Sequence, residues 1–171
     1  LREGSFIEGK GGPGNPGNQN LKLAAVDQVN GLTLEAYAQT ETMHTMTSIN
    51  PEKRLHMTQG PKDITGQALD LVVPMGRGQR GLIISPPKSG KTTLLRHMAN
   101  SVTANDPEMD VFILLVNERP EEVTDMSRNV NGEVIASTFD EVPVRHTKVA
   151  DIVLEKAKRL VEHKKDVFIL L

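Results

Sequence analysis

Cysteine and tryptophan are absent from the 171 residues, and one tyrosine and four phenylalanines are the only aromatics. A disulfide scaffold, a Cys-ligated zinc site and a thiol nucleophile are thereby excluded, and few ring faces exist on which nucleobases could stack. No charge of one sign dominates either. Twenty Lys and Arg against 22 Asp and Glu leave a formal net charge of -2, so the whole-chain field makes no case for nucleic acid and any such case must come from local residues. No apolar run approaches the roughly 18 residues that suggest a membrane span. What is present is enough chain for one sizeable core plus a small satellite. It starts at Leu1 without an initiator Met and stops inside an apolar run, so it reads as a fragment.

Before about residue 47 the chain offers short stretches in which apolar and polar residues partly alternate, the pattern of half-buried strands: Phe6 to Lys10, Leu21 to Val29 and Leu32 to Ala38. Asn30-Gly31 between the last two is a strong hairpin signal. GGPGNPGNQN, Gly11 to Asn20, can hold neither helix nor ladder and reads as a flexible loop. Phe6 and Tyr37, the aromatics of this part, read as core residues. Thr47 to Gly66 is polar and broken by Pro51 and Pro61, the mark of a linker. Beyond it, short apolar runs alternate with helical stretches, which predicts a mainly parallel sheet covered on both faces. Strands are expected at Gly81 to Ile84, Val111 to Val116, Val134 to Ser137 and Val167 to Leu171. Helices are expected at about Lys91 to Val102, Pro120 to Arg128 and Val144 to Lys164. In the last helix Val149, Ile152, Val153, Ala157, Leu160 and Val161 share one face, leaving Lys156, Lys158, Arg159 and Glu162 to solvent. His44, His56, His97, His146 and His163 show no metal-ligand spacing and read as surface or packing residues.

The strongest chemical signal is GLIISPPKSGKTTLL, Gly81 to Leu95. A strand leads through a loop ending in Gly90-Lys91-Thr92 into a helix, the tail of the P-loop pattern, with Ser85 where that pattern has its first Gly. Polyphosphate is highly anionic, and backbone N–H groups from Lys88 through Ser89, Gly90 and Lys91 to Thr92 and Thr93 can surround it at a helix N-terminus. Lys91 supplies a point charge to the β- and γ-phosphates, and the Thr92 hydroxyl completes a magnesium shell. Pro86 and Pro87 stiffen the loop without removing that cradle.

DVFILL occurs twice, at Asp110 to Leu115 and at Asp166 to Leu171. The first copy runs into VNERPEEV, which sets Glu118 just past the carboxyl end of a buried strand, where ligand-binding residues of parallel sheets cluster. Two readings are open. Glu118 can orient and polarise water for attack on a γ-phosphate, with Arg119 reaching phosphate or holding the acid. Alternatively Glu118, Glu121 and Glu122 simply complement the positive end of the next helix, with Pro120 in its first turn.

GRGQRGLIISPPKSGKTTLL, VNERPEEVTDM, GEVIASTFDEVPVRH and VADIVLEKAKRLVEHKKDVFILL together resemble the ATPase domain of the bacterial transcription termination factor Rho family, continuously from about Gly66 to Leu171. That resemblance implies an α/β fold: a RecA-like P-loop NTPase core over residues 67–171, a linker at 47–66, and over 1–46 part of an OB-type, cold-shock-like RNA-binding β domain. LREGSFIEGK and LKLAAVDQVNG are similar to strands of that domain, whereas GGPGNPGNQN lacks the cations and aromatics that the family often carries there. The family's phosphate loop often begins with Ala and carries two prolines, so Ser85 is a small departure. Carried over, Gly76, Arg77, Gly78, Gln79, Arg80 and Gly81 border the nucleotide. Lys88 to Thr93 bind its phosphates, Thr92 helps hold the metal, Glu118 is the catalytic carboxylate and Arg119 stands beside it. Asn117 occupies a position where the family has Asp. The implied cofactors are ATP and Mg2+. The implied whole is a cytoplasmic homohexamer, an RNA-dependent ATPase and 5'-3' RNA:DNA helicase acting on single-stranded nascent RNA, with RNA polymerase and elongation factors as partners and no membrane role. In the family the second DVFILL runs into the Walker B Asp, so residue 172 is expected to be Asp, and residues 1–171 alone, which also lack the family's arginine finger and pore loops, are not expected to turn over ATP. Two rival readings are another RecA-like ATPase, such as a rotary subunit, and an RNA-binding module whose P-loop is only structural.

Overall fold

A computed structural model describes residues 2–12 and 22–171. Most of the loop expected at Gly11 to Asn20, from residue 13 onward, lies outside the described residues, as does Leu21. The first strands, β1 (Ile7–Gly12) and β2 (Lys22–Val29), pair antiparallel, and β2 turns back into the two-residue β3 (Leu32–Thr33). The turn is the one Asn30-Gly31 announces: both residues have positive φ, 52° and 76°, matching the twist of the flanking strands. A Cβ on Gly9 would lie 2.0 Å from the Ala25 carbonyl oxygen, so β1 and β2 approach there only because the residue is glycine.

The third expected strand is mostly helix. After Thr33, α1 (Leu34–Ala38) begins, with the Thr33 hydroxyl accepting from the Ala36 amide at 3.4 Å and Glu35 in the first turn. This local cap and the Ala-rich run outweigh alternation. Tyr37 is buried as expected, whereas Phe6 is 66% exposed, since its backbone closes on Asn30 while its ring finds no covering layer.

The stretch read as a linker is built into the core. It carries β4 (Arg54–Leu55) and the start of α2 (Ile64–Val72), and β4 pairs antiparallel with β5 (Met75–Gly76). Leu55 and Met57, two residues apart, both point into the main apolar cluster. The Asp70 carboxylate holds them there, accepting from the Met57 and Thr58 amides at 3.0 Å each and from the Thr58 hydroxyl at 2.6 Å. Burial opposes ionisation of Asp70, but the Thr58 hydroxyl, these amides and Arg54 outweigh it and hold its carboxyl below the usual range.

The rest follows the expected alternation: α3 (Lys91–Asn105), β6 (Asp110–Glu118), α4 (Pro120–Asn129), β7 (Glu133–Thr138), α5 (Pro143–Glu162) and β8 (Val167–Leu170). The sheet is parallel in the order β7-β6-β8. On one face Val111, Ile113 and Leu115 pack with Leu95, Met98, Ala99 and Val102 of α3; on the other, Phe112 and Leu114 pack with Val153 of α5. The two DVFILL copies lie side by side but one residue out of register, Val111 opposite Phe168 and Phe112 opposite Ile169. Because side chains alternate faces, that offset sends Phe112 to the α5 layer and Phe168 to the α3 layer. One hexapeptide thereby fills both cores.

Two expectations are corrected here. Gly81 to Ile84 joins no ladder with a described strand. Leu82 and Ile84 are 84% and 86% exposed and only Ile83 packs on the core. An apolar run becomes a strand only when a neighbour offers backbone partners. On α5, Arg159 and Glu162 are buried where solvent was expected, and Ile152 is exposed. Glu162 is met by the N-terminal unit, through Arg2 and the Met43 amide, and Arg159 pairs with Glu162 and Glu155 on α5 itself.

Candidate nucleotide site

The phosphate loop reaches α3 through two left-handed residues, Lys88 at φ 62° and Gly90 at φ 93°, the latter serving as the helix N-cap. Ser89 donates its hydroxyl to the Pro86 carbonyl at 2.7 Å, closing the loop on itself. Gly90 has no protein atom within 4 Å of where a Cβ would stand, so glycine is required there by backbone conformation and not by protein crowding. Lys91 and Thr92 are the first two residues of α3, on the positive end of its dipole. Thr93 follows in the same turn.

A cavity of about 190 Å³ opens between the start of α3, the end of β6 and the first turns of α4. Lys91, Thr92, Glu118 and Glu122 supply its polar lining, and Leu95, Leu115 and Met126 are among its apolar walls. Three residues singled out from sequence, Lys91, Thr92 and Glu118, are thus brought into one space. Glu122 was missed as a site residue, because a carboxylate in a helix's first turn is accounted for by the dipole alone. The usable signal was its four-residue distance from Glu118 and from Met126. The oxygen donors lining the cavity, one hydroxyl and two carboxylates, are the hard ligands a magnesium ion takes, so the donor chemistry fits that ion. Arg119 is exposed and stands at the N-cap of α4, where its carbonyl accepts from the Glu122 and Val123 amides at 3.0 and 3.1 Å. Its side chain does not line the cavity.

The Gly76 to Gly81 stretch is placed elsewhere. Gly76 to Gln79 form a tight turn, with the Gln79 amide donating to the Gly76 carbonyl at 3.1 Å and the Gly76 amide to the Gln79 side chain at 2.9 Å. Gly78 takes φ 84°. Arg77 leaves that turn to bridge Asp106, the C-cap of α3, and Asp166, just before β8. Lys91 and Asp106 stand at opposite ends of a helix 15 residues long, on the order of 20 Å. Arg77 therefore clamps the floor of the domain and does not border the cavity; Arg80 and Gly81 are exposed and line no part of it.

Among the described residues, no group of three or more His, Asp or Glu is arranged to hold a metal ion by itself. One Ser-His-Asp chain does occur: His97 Nε2 meets Asp63 Oδ1 at 2.7 Å, and His97 Nδ1 meets the Ser101 hydroxyl at 3.3 Å. Ser101 is fully buried and also accepts from Gln59 at 3.0 Å, so the chain is a packing device, not a nucleophile. Burial opposes ionisation of Asp63, yet the Gly66 and Gln59 amides and His97 hold its carboxyl below the usual range, which suits its role as N-cap of α2.

A phosphate loop, a helix N-terminus and a strand-end carboxylate around one cavity of an α/β domain define a P-loop nucleotide-binding unit. Residues 66–171 match the ATP synthase alpha/beta family, nucleotide-binding domain, and the chain belongs to that family. Over its whole length it is similar to transcription termination factor Rho: 51% identical to that of Haemophilus influenzae, 49% to that of Pseudomonas aeruginosa and 47% to that of Bacillus subtilis. The chain spans about two-fifths of those relatives, covering 41%, 42% and 40% of their lengths. A solved ATP synthase subunit, NeqB from Nanoarcheaum equitans, shares the fold with TM-score 0.58 at 19% identity, over 74% of this chain and 32% of that one. Among the described residues, no helix is long and apolar enough to cross a membrane.

Proposed function

We propose that this chain carries the phosphate-binding portion of a nucleoside triphosphatase site, and that the whole protein is an RNA-dependent ATPase of the Rho type. The observation that supports this reading best is the shared cavity of Lys91, Thr92 and Glu118. Lys91 and the amides of Lys88 to Thr93 hold the phosphates of ATP; Arg119, next to Glu118 in sequence and exposed outside the cavity lining, is assigned to the same anion by the resemblance to Rho alone. The Thr92 hydroxyl, with the carboxylates of the same cavity, would hold a magnesium ion, which would supply charge neutralisation at the phosphates. Glu118 orients a water and takes its proton as the oxygen attacks the γ-phosphorus. The bond to the β–γ bridging oxygen breaks, and ADP and phosphate leave.

At the level of the whole protein, the similarity to Rho supports a cytoplasmic homohexamer that moves along single-stranded nascent RNA 5' to 3', unwinds RNA:DNA hybrids and releases transcripts from RNA polymerase and its elongation factors. The match to ATP synthase subunits favours one other reading, a rotary ATPase subunit. Hydrolysis stimulated by cytosine-rich single-stranded RNA separates the two, since a rotary subunit has no cause to respond. Glu118→Gln is expected to bind ATP with unchanged affinity and to lose hydrolysis. Retained hydrolysis in that variant contradicts the assignment.

A further inference from the structure

Along β6 the side chains alternate strictly: Val111, Ile113 and Leu115 face α3, while Phe112 and Leu114 face α5. Continued without interruption, that alternation directs residue 117 to the α3 face and Glu118 to the α5 face, away from the phosphate loop. Glu118 lines the cavity with Lys91 and Thr92 of α3, but Leu114 and Val116 from the α5 face reach it too, so the strand pairing and not the lining decides its side. Pairing with β7 shows where the parity changes. Val116 lies opposite Ser137 and Glu118 opposite the very next residue, Thr138, so Asn117 has no partner and bulges out of the ladder. Ser137 is on the α5 face, where it meets His146 of α5 at 2.8 Å, and Val134 and Ala136 pack on the α3 side. Thr138 and its partner Glu118 therefore stand on the α3 side. Asn117 accommodates the bulge with φ 60°, a left-handed conformation that Asn enters more readily than almost any residue except Gly. The Phe139 amide, donating to the Glu118 carbonyl at 3.1 Å, fixes the backbone just beyond.

We infer that Asn117 is a positioning residue, whose left-handed backbone forms the one-residue bulge that turns Glu118 from the α5 face to the phosphate-loop face. The inference rests on the reading of Glu118 as the hydrolytic carboxylate. It assigns the role to the backbone conformation, since the Asn117 side chain is exposed. Residues tolerant of positive φ should substitute and a β-branched residue should not.

The test measures ATP turnover, nucleotide affinity by fluorescent ATP analogue, and thermal melting for Asn117→Gly, Asn117→Asp and Asn117→Val in the whole protein, beside Glu118→Gln. The expected result is a kcat within about threefold for Gly and Asp, and a fall of roughly tenfold to a hundredfold for Val, because a misplaced reacting group costs that much at unchanged binding. Nucleotide affinity stays within about threefold in all of them. If Val fails to fold, Asn117→Ala, which bears the left-handed penalty without β-branching, replaces it and must turn over more slowly than Gly. A Val or Ala variant as fast as Gly, or a Gly variant as slow as Val, overturns the inference. Loss of hydrolysis in Glu118→Gln with full activity in Asn117→Val overturns this inference alone, whereas full activity in Glu118→Gln overturns the proposed function and this inference with it.

Discussion

Glu162 is the most exacting point of contact between the N-terminal unit and the sheet domain, and removing it offers a quantitative test. Its side chain is 1% exposed. One carboxylate oxygen accepts from Arg2 at 3.1 Å; the other accepts from the Met43 amide at 2.9 Å and faces Arg159 at 3.1 Å. Truncation in Glu162→Ala strands a buried guanidinium and a backbone amide together. Breaking a buried pair from one side costs about 3–5 kcal/mol. Arg159 keeps a second carboxylate, Glu155, at 3.6 Å, and Arg2 is a third exposed, so the lower figure of about 3 kcal/mol applies. With a urea slope of about 2 kcal/mol/M, the unfolding midpoint should fall by about 1.5 M. Glu162→Gln keeps an acceptor for Met43 and should lose about half as much. Amide exchange at Met43 should accelerate in the Ala variant, since its backbone amide ties the N-terminal unit to Glu162. A midpoint shift below about 0.3 M would refute the reasoning, by showing that the buried carboxylate is not what joins the two units.

His163 beside it should confer pH dependence. Asn30 meets its ring at 3.0 Å and Tyr37 stacks on it. Burial lowers its pKa, Glu162 opposes that, and Arg159 and Lys165 add to the lowering. Below the ordinary value of 6.5 the unfolded chain takes up a proton that the folded one resists, so stability should fall as pH drops through that value and recover above it. Urea midpoints at pH 5.5 and 7.5 should converge in His163→Gln; unchanged pH dependence in that variant contradicts the assignment. Arg77→Met should lower stability by about 2 kcal/mol through loss of the Asp106 and Asp166 clamp, and ATP affinity should stay within about twofold. A tenfold loss of affinity would return Arg77 to the nucleotide border. Gly9→Ala should destabilise the β1–β2 ladder by more than about 1 kcal/mol, because its Cβ meets backbone that has no flexible end to move. An unchanged melting temperature speaks against that close approach.

Where one local signal decides an element, the sequence was sufficient. The apolar run Val111 to Val116 could only be a buried strand, and GKT after an apolar run fixed the start of α3. Pro120 marks the first turn of α4, whereas α5 starts at Pro143, one residue before the expected Val144. What escaped depends on partners far along the chain. Gly81 to Ile84 has the composition of a strand but no ladder with a described one. Leu55 and Met57 are core residues set in a polar, proline-broken stretch, and only α3 and Asp70 make them so. The partners of buried Glu162 come from a segment more than 100 residues earlier, and buried Arg159 pairs with that same carboxylate. At the site, Lys91, Thr92 and Glu118 were legible because their chemistry is written in residue type and spacing. Glu122 and Asn117 were not, since one looks like an ordinary helix-start acid and the other acts through its backbone. The Gly76 to Gly81 stretch was assigned by resemblance, and the turn at Gly76 to Gln79 sends Arg77 to the opposite end of α3.

In the proposed function Lys91, at the start of α3, grips the tail of a nucleoside triphosphate. Calorimetric titration of the whole protein with a non-hydrolysable ATP analogue and magnesium, set against Lys91→Ala, tests it most directly. A loss of affinity of about tenfold or more in the variant, at unchanged melting temperature without nucleotide, is the predicted result. Equal affinities for the two proteins would contradict it.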